Sequence, residues 1–322
     1  MNVHDYRFLL AEQATLNRLI GEISESDIIS RISLQARLGA VEAQLADYHG
    51  SSARLRTARL TFKGDPVLGG RGILMDFVSD ASKAFANAIT VVGSSLTATV
   101  APTGRVPNAE QFQLAITGIA YGSFGFQIEE ASPQLSFDDM ATPVEMAISK
   151  VKGILSATIG TDDDLSEAIA DTDSRALSAL QQFLKRVADG GAAFTLAHDG
   201  DAFDFVDAAQ VRRSEARLSA DNIRENDTMI SVRFMGFFPF RPRAQFIIVA
   251  ADAEYLSDEV GQIATARVDT SVAEQVDINA ILNQDQQITV HTRRVGTSRP
   301  RYTVTGFARD PGAQLTFDQI SK

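Results

Sequence analysis

No cysteine occurs among the 322 residues of this chain. That absence removes disulfides, thiolate nucleophiles, CxxC redox pairs and thiolate zinc sites together. Histidine is nearly as scarce. His4, His49, His198 and His291 lie far apart, and none stands in a metal-ligand spacing such as HExxH, so no metal is expected. Long apolar runs are missing as well. The most apolar stretch, GILMDFVSDASKAFANAITVV, is interrupted by Asp76, Asp80 and Lys83, which excludes it as a membrane span. The opening MNVHDYRFLLAEQATLNRLIGEI has neither the basic region nor the continuous apolar core of a secretory signal. A cytoplasmic location with no membrane partner is the expectation.

Phosphate-binding patterns are absent too. GDPVLGGRG is rich in glycine, but it lacks the Lys-Ser/Thr pair of a P-loop and the GxGxxG spacing. It predicts a turn between a strand and a helix, with Arg71 near the helix start as a place for an anion. Ser123, in YGSFGF, does not sit in GxSxG, which argues against a nucleophile. Asp162, Asp163, Asp164, Asp171 and Asp173 lack the glycine turn and terminal glutamate of a calcium loop. They suit the start of a helix, where carboxylates complement the dipole, and Asp173 or Ser174 is expected to cap the helix that follows. Glu129 and Glu130 are neighbours on a predicted strand and so face opposite ways. No cofactor is implied. An enzyme of unfamiliar type, working through Glu129, Glu130 or the 162–164 carboxylates, ranks last among the functions considered.

What the chain does have is acid: 41 Asp and Glu against 30 Lys and Arg, a net charge of −11. Coating nucleic acid non-specifically needs the opposite balance, because phosphate neutralisation by Lys and Arg dominates that mode. A local basic site remains compatible with it.

Periodicity divides the chain into three. Residues 1–50 predict a helical hairpin, with helices over about 5–22 and 27–48 and Ser24 or Ser26 as the second N-cap. Leu34, Leu38, Val41, Leu45 and Tyr48 are spaced four, three, four, three, a heptad-like seam. The seam packs either on the first helix, through Leu9, Leu16, Ile20 and Ile23, or on a second copy as a homo-oligomer interface. Residues 51–226 predict a mixed α/β domain. ARLTFKG alternates as a half-buried strand, and a helix over about 73–92 carries Ile73, Phe77, Ala81, Phe85, Ile89 and Val92 on one face. SSLTATVAPTGRVPN follows as a loop. Two β segments then run through QFQLAITGIAYG and SFGFQIEE. Helices follow, with Thr142 as a cap, and AAFTLAHDGDAFDFV is a β-hairpin around Asp199-Gly200.

Residues 227–322, after a charged break RENDT, predict a small β-barrel. Its strands are TMISVRFMGFFPF, RAQFIIVAA, EYLSDEVGQIATARV, QQITVHTRRV and RYTVTGF, with a helix in VAEQVDINAILNQ between the third and fourth. Five strands so interrupted match an OB-like barrel, with an SH3-like barrel as the close competitor. The fold class expected for the whole chain is therefore α+β. In an OB-like barrel the loops between strands one and two and between strands four and five flank the usual ligand face. Here the first loop is FPFRPRAQF, with Phe238, Phe240, Arg241 and Arg243. The second is RRVGTSRPRY, with Arg293, Arg294, Arg299, Arg301 and Tyr302. Guanidiniums interleaved with rings are what single-stranded nucleic acid requires, the former for phosphate and the latter for stacking. The competing reading is that these arginines pair with acidic neighbours and the phenylalanines are core. The domain is near neutral, with 10 Lys/Arg against 11 Asp/Glu, so the two loops are a local basic feature.

ARLTFKG, PNAEQFQLAITGIAYGSFGFQIEE and AQVRRSEARLSADN together resemble a group of uncharacterised bacterial proteins, the GSFGF-type strand above all. That resemblance implies a bacterial source and carries over no activity and no catalytic residue. The function expected is a non-enzymatic, oligomeric binding or adaptor protein whose barrel loops contact nucleic acid, another anionic partner or a protein. The alternative is an accessory subunit of a bacterial multi-protein system of the anti-phage defence type, whose partners carry the catalysis.

Overall fold

A computed structural model of the chain describes residues 3–23, 27–49, 58–69, 72–120, 124–131, 141–238, 243–269, 272 and 281–308. The structure is mixed α+β with two sheets. The chain forms two compact units: Met1–Lys152 with Asp173–Val211, and Gly153–Thr172 with Arg212–Lys322. The segment Gly153–Thr172 therefore groups with the C-terminal unit rather than with the middle of the chain, where its sequence position puts it.

In the first unit, helices α1 (Val3–Glu22) and α2 (Ile28–His49) pack through Leu9, Leu16 and Val41, with Leu34 and Leu38 against that cluster. The Arg37 guanidinium holds Glu12 across the pair at 2.7 Å. Asp27 caps α2: its carboxylate accepts the Ser30 N–H at 3.2 Å, a role the sequence assigned to a serine.

The first sheet has the order β2-β3-β1-β4-β5, from β1 (Ala58–Gly64), β2 (Leu114–Ala120), β3 (Phe124–Glu130), β4 (Ala192–His198) and β5 (Asp201–Asp204). All neighbours are antiparallel. Strand alternation puts Leu60 and Phe62 of β1 opposite Leu196 and Phe194 of β4. Helices α3 (Met75–Thr97) and α6 (Ser174–Asp189) cover them. Phe85 of α3 meets Phe183 of α6 at 5.3 Å between ring centres, and Phe183 meets Phe194 at 4.9 Å, both edge-on. The helix α3 outruns its predicted end to Thr97, because the hydroxyls of Ser94 and Ser95 find carbonyl acceptors at Pro107 and Val92. The β4–β5 turn is the one the Asp-Gly pair calls for: Asp199 and Gly200 both take positive φ, 53° and 77°.

Helix α4 (Pro143–Thr158) opens with a reciprocal cap, Thr142 Oγ1 accepting the Glu145 N–H and Glu145 accepting the Thr142 N–H. Two further helices are α5 (Asp162–Ala168) and α7 (Ala208–Arg217). Asp173, expected to cap α6, makes no side-chain cap; its carboxylate accepts the Val100 N–H at 2.8 Å instead.

The second sheet comprises β6 (Ile223–Phe238), β7 (Arg243–Ala251), β8 (Ile263–Val268), β9 (Asp285–Val295) and β10 (Arg301–Phe307). Its order is β10-β8-β7-β6-β9, and β9 also pairs with β10, so every strand has two neighbours. The β8–β10 pair alone is parallel. Two differences from the sequence reading stand out. RENDT, expected as a break, lies inside the sixteen-residue β6, where Arg224 to Thr228 pair with β9. EYLSDE is a 3-10 turn, leaving β8 only Ile263–Val268. Irregular register on β6 at Ser231/Val232 and Phe234/Gly236 bends that strand so that it serves both β7 and β9. Ile230, Val232, Phe234, Phe246, Ile248, Ile288, Val290 and Val304 fill the interior. Of the helix expected in VAEQVDINAILNQ, residues 273–280 lie outside the described residues.

Candidate functional site

The β9–β10 ladder sets Arg293 directly opposite Arg301 and Thr292 opposite Tyr302. Like charges facing each other across a strand pair destabilise it unless something neutralises them. Helix α5 and the loop after it do so. Arg293 donates through Nη1 to the carbonyls of Ile169 at 2.7 Å and Thr172 at 2.8 Å, and through Nε to Glu225. Ile169 is the residue at the C-terminal end of α5, where backbone carbonyls lack helical partners and a cation is favoured. Arg301 donates through Nε to Ser166 Oγ at 3.0 Å and through Nη2 to Glu167.

The other end of α5 is held by the turn of the same hairpin. Thr161 and Asp164 form a capping box. Asp162 accepts the Thr297 N–H at 3.1 Å, the Thr297 hydroxyl at 3.2 Å and the Arg217 guanidinium at 2.9 Å. The Thr297 N–H first, and Arg217 after it, hold the Asp162 carboxyl below its ordinary range. Gly296 takes φ 50°, and a Cβ there would run into the Asp162 carboxylate. The hairpin thus grips α5 at its start, its middle and its end.

These contacts place the sequence-predicted arginines. Arg293 and Arg301 are engaged with α5, and Arg294 donates to the Ser298 carbonyl at 2.9 Å. Tyr302 leaves the surface set altogether: it is 5% exposed and its ring lies 6.1 Å from Phe246. Burial raises its phenol pKa well above the ordinary value. Arg299 is exposed and has no side-chain partner among the described residues. Arg241 and Phe240 lie outside the described residues, as do Ser123 and Arg71.

A second group forms where β6 ends and β7 begins. The register runs Phe238 to Arg243, Arg243 to Arg267, and Arg267 to Thr303. Directly paired residues share a face, so one ring and two guanidiniums line up outside the sheet. Phe238 is 53% exposed, and both arginines are exposed. Arg267 touches Asp171 at 3.4 Å, while Arg243 has no side-chain partner among the described residues. Arg267 escaped sequence reasoning. Its outward position was legible from the alternation in IATARV, but its place opposite Arg243 is a matter of register between strands.

The carboxylates considered for catalysis are otherwise disposed. Asp162 and Asp164 serve the α5 cap, as above. In the first unit Glu130 has its pKa raised, by burial first and then by the nearby Glu145 charge, against a lowering bond from Thr142. Glu145 lies 3.9 Å from His198, both nearly buried. Among the described residues no three His, Asp or Glu side chains are grouped to hold a metal ion, and no helix is long and apolar enough to cross a membrane. Of the expected oligomer seam, Leu34, Leu38 and Val41 pack with Leu9 and Leu16 of the same chain; the side chains of Leu45 and Tyr48 lie outside the described ones. No protein-family model, no curated protein and no solved structure matches the chain.

Proposed function

We propose that the chain is a binding protein whose C-terminal unit is a small OB-like barrel, and that the Phe238–Arg243–Arg267 row engages single-stranded nucleic acid. The parallel β8–β10 pair and the closed strand order support an OB-like rather than an SH3-like reading. The observation that carries the proposal is the Arg243–Arg267 juxtaposition. Two exposed guanidiniums, opposed across a ladder with one carboxylate, Asp171, against Arg267 alone, weaken the sheet locally. A phosphate backbone lying along the row offsets that repulsion, and Phe238 offers a face on which a base stacks. Of the hairpin arginines, Arg293 and Arg301 are the poorer candidates, because α5 and the loop after it occupy them.

Fluorescence anisotropy with labelled single-stranded DNA, single-stranded RNA and duplex DNA, each at low and moderate salt, tests this. Binding to the single strands that falls steeply with salt is expected. Replacing Arg243→Glu and Arg267→Glu together should flatten the slope of log K against log salt by about 1.4, since each lost single-strand phosphate contact contributes about 0.7. Phe238→Ala should cost about 1–3 kcal/mol, the range for one stacked base. Arg294→Glu should leave affinity nearly unchanged. Absence of binding at low salt, or equal affinity in the double variant, overturns the proposal.

A further inference from the structure

The two edges of the first sheet are treated in opposite ways. At one end β5 is four residues long and begins and ends with aspartate, Asp201 and Asp204, paired to Lys152 and Lys63. Short length and charge are the ordinary protection of a sheet edge against another strand. At the other end β2, LAITGIA, is seven residues long with neither charge nor proline, and among the described residues only β3 is bonded to it. No charged residue occurs anywhere from 111 to 128.

The register makes this edge apolar on one face. Ile116 pairs with Ile128, Gly118 with Gln127, and Ile119 with Phe126. Residues three apart on a regular strand point to opposite faces, but the irregularity at Thr117 brings Ile116 and Ile119 to the same one. It is the face on which Ile128 and, across the sheet, Leu60 are buried under helices. At β2 the cover runs out, leaving Ile116 57% and Ile119 50% exposed beside half-buried Phe124 and Phe126.

We infer that β2 pairs antiparallel with β2 of a second copy, joining two five-stranded sheets into one across a twofold axis. Identical chains of charge −11 repel each other, and that repulsion is least where the surface carries no charge, as at this edge. A twofold axis between Thr117 and Gly118 sets Ile116 of each copy opposite Ile119 of the other. The irregularity at Thr117 supplies the shared face that such a pairing needs.

Light scattering on the full chain at micromolar concentration should return twice the 34.8 kDa monomer mass. Ile116→Lys with Ile119→Lys, two exposed positions, should return the monomer mass with an unchanged circular dichroism spectrum. Thr117→Pro, which removes a backbone N–H at the irregularity, provides a second variant. Hydrogen exchange gives an independent readout: amides of Leu114–Ala120 should gain protection as wild-type concentration rises, while those of Asp201–Asp204 should not. A monomeric wild type, or a dimer that survives both variants with β2 amides insensitive to concentration, overturns the inference.

Discussion

Arg293 shows how one side chain comes to serve structure rather than a ligand. Its guanidinium satisfies two carbonyls at the end of α5 and the Glu225 carboxylate at once, with only 13% of the side chain exposed. Planar donors in a fixed fork suit three converging acceptors, which an ammonium cannot match. Arg293→Ala should therefore lower stability by about 2–3 kcal/mol in urea unfolding, because acceptors lose a charged donor. Arg293→Lys should recover less than half of that loss. His291 offers a pH test. Its imidazole is hydrogen-bonded to Asp227 at 2.8 Å and lies 3.9 Å from Glu225; the Glu225 carboxylate first, and Asp227 after it, raise its pKa above 6.5. A raised folded-state pKa means the folded form binds the proton more tightly. The resulting stability is fully present below pH 6.5 and is lost as pH rises through the folded value. The urea midpoint of wild type should fall across that window relative to His291→Gln, measured at matched salt.

At the scale of elements, turn chemistry and element contacts separate cleanly. Gly200 and Gly296 both stand in hairpin turns with positive φ, 77° and 50°. A Cβ on Gly200 meets nothing within 4 Å, whereas on Gly296 it runs into the Asp162 carboxylate. Gly200→Ala should cost about 1 kcal/mol, the backbone cost alone. Gly296→Ala should cost distinctly more, because it also displaces the carboxylate that anchors the start of α5. Thermal melts of the two variants decide this. The contrast explains why the β4–β5 hairpin was legible in AHDGDA: its geometry follows from two adjacent residues that tolerate left-handed backbone. The role of the β9–β10 turn was hidden, because its partner on α5 is 135 residues earlier.

For the whole molecule, the acid balance of the sequence conceals a division of labour among its charges. Lys63, Lys152, Arg217, Arg233, Arg293 and Arg301 each hold a carboxylate of the chain itself. Arg243 and Arg299 are, with Arg59, Arg186, Arg213 and Arg224, exposed guanidiniums without a partner among the described residues, and Arg243 stands in the row proposed for nucleic acid. The proposed dimer edge is similarly a product of contrast. The uncharged stretch 84–95 lies within α3, with Phe85, Ala88, Ile89, Val91 and Val92 buried, whereas the uncharged β2 lies at the border of its sheet.

By itself the sequence determined the repeating elements. Alternation in ARLTFKG, the apolar face of α6, the Asp199-Gly200 turn and the five strands of the second sheet all follow from side-chain period and backbone preference, which act over a few neighbouring residues. The exclusion of thiol chemistry likewise needed only composition. Tertiary structure alone decided which basic residues remain available. Arg293 finds Thr172 across 121 residues and Arg301 finds Glu167 across 134, while Arg243 meets Arg267 only through strand register. A guanidinium has no periodic signature that names its partner. Its fate depends on which carboxylates and carbonyls the fold carries to it, and that is a property of the assembled chain.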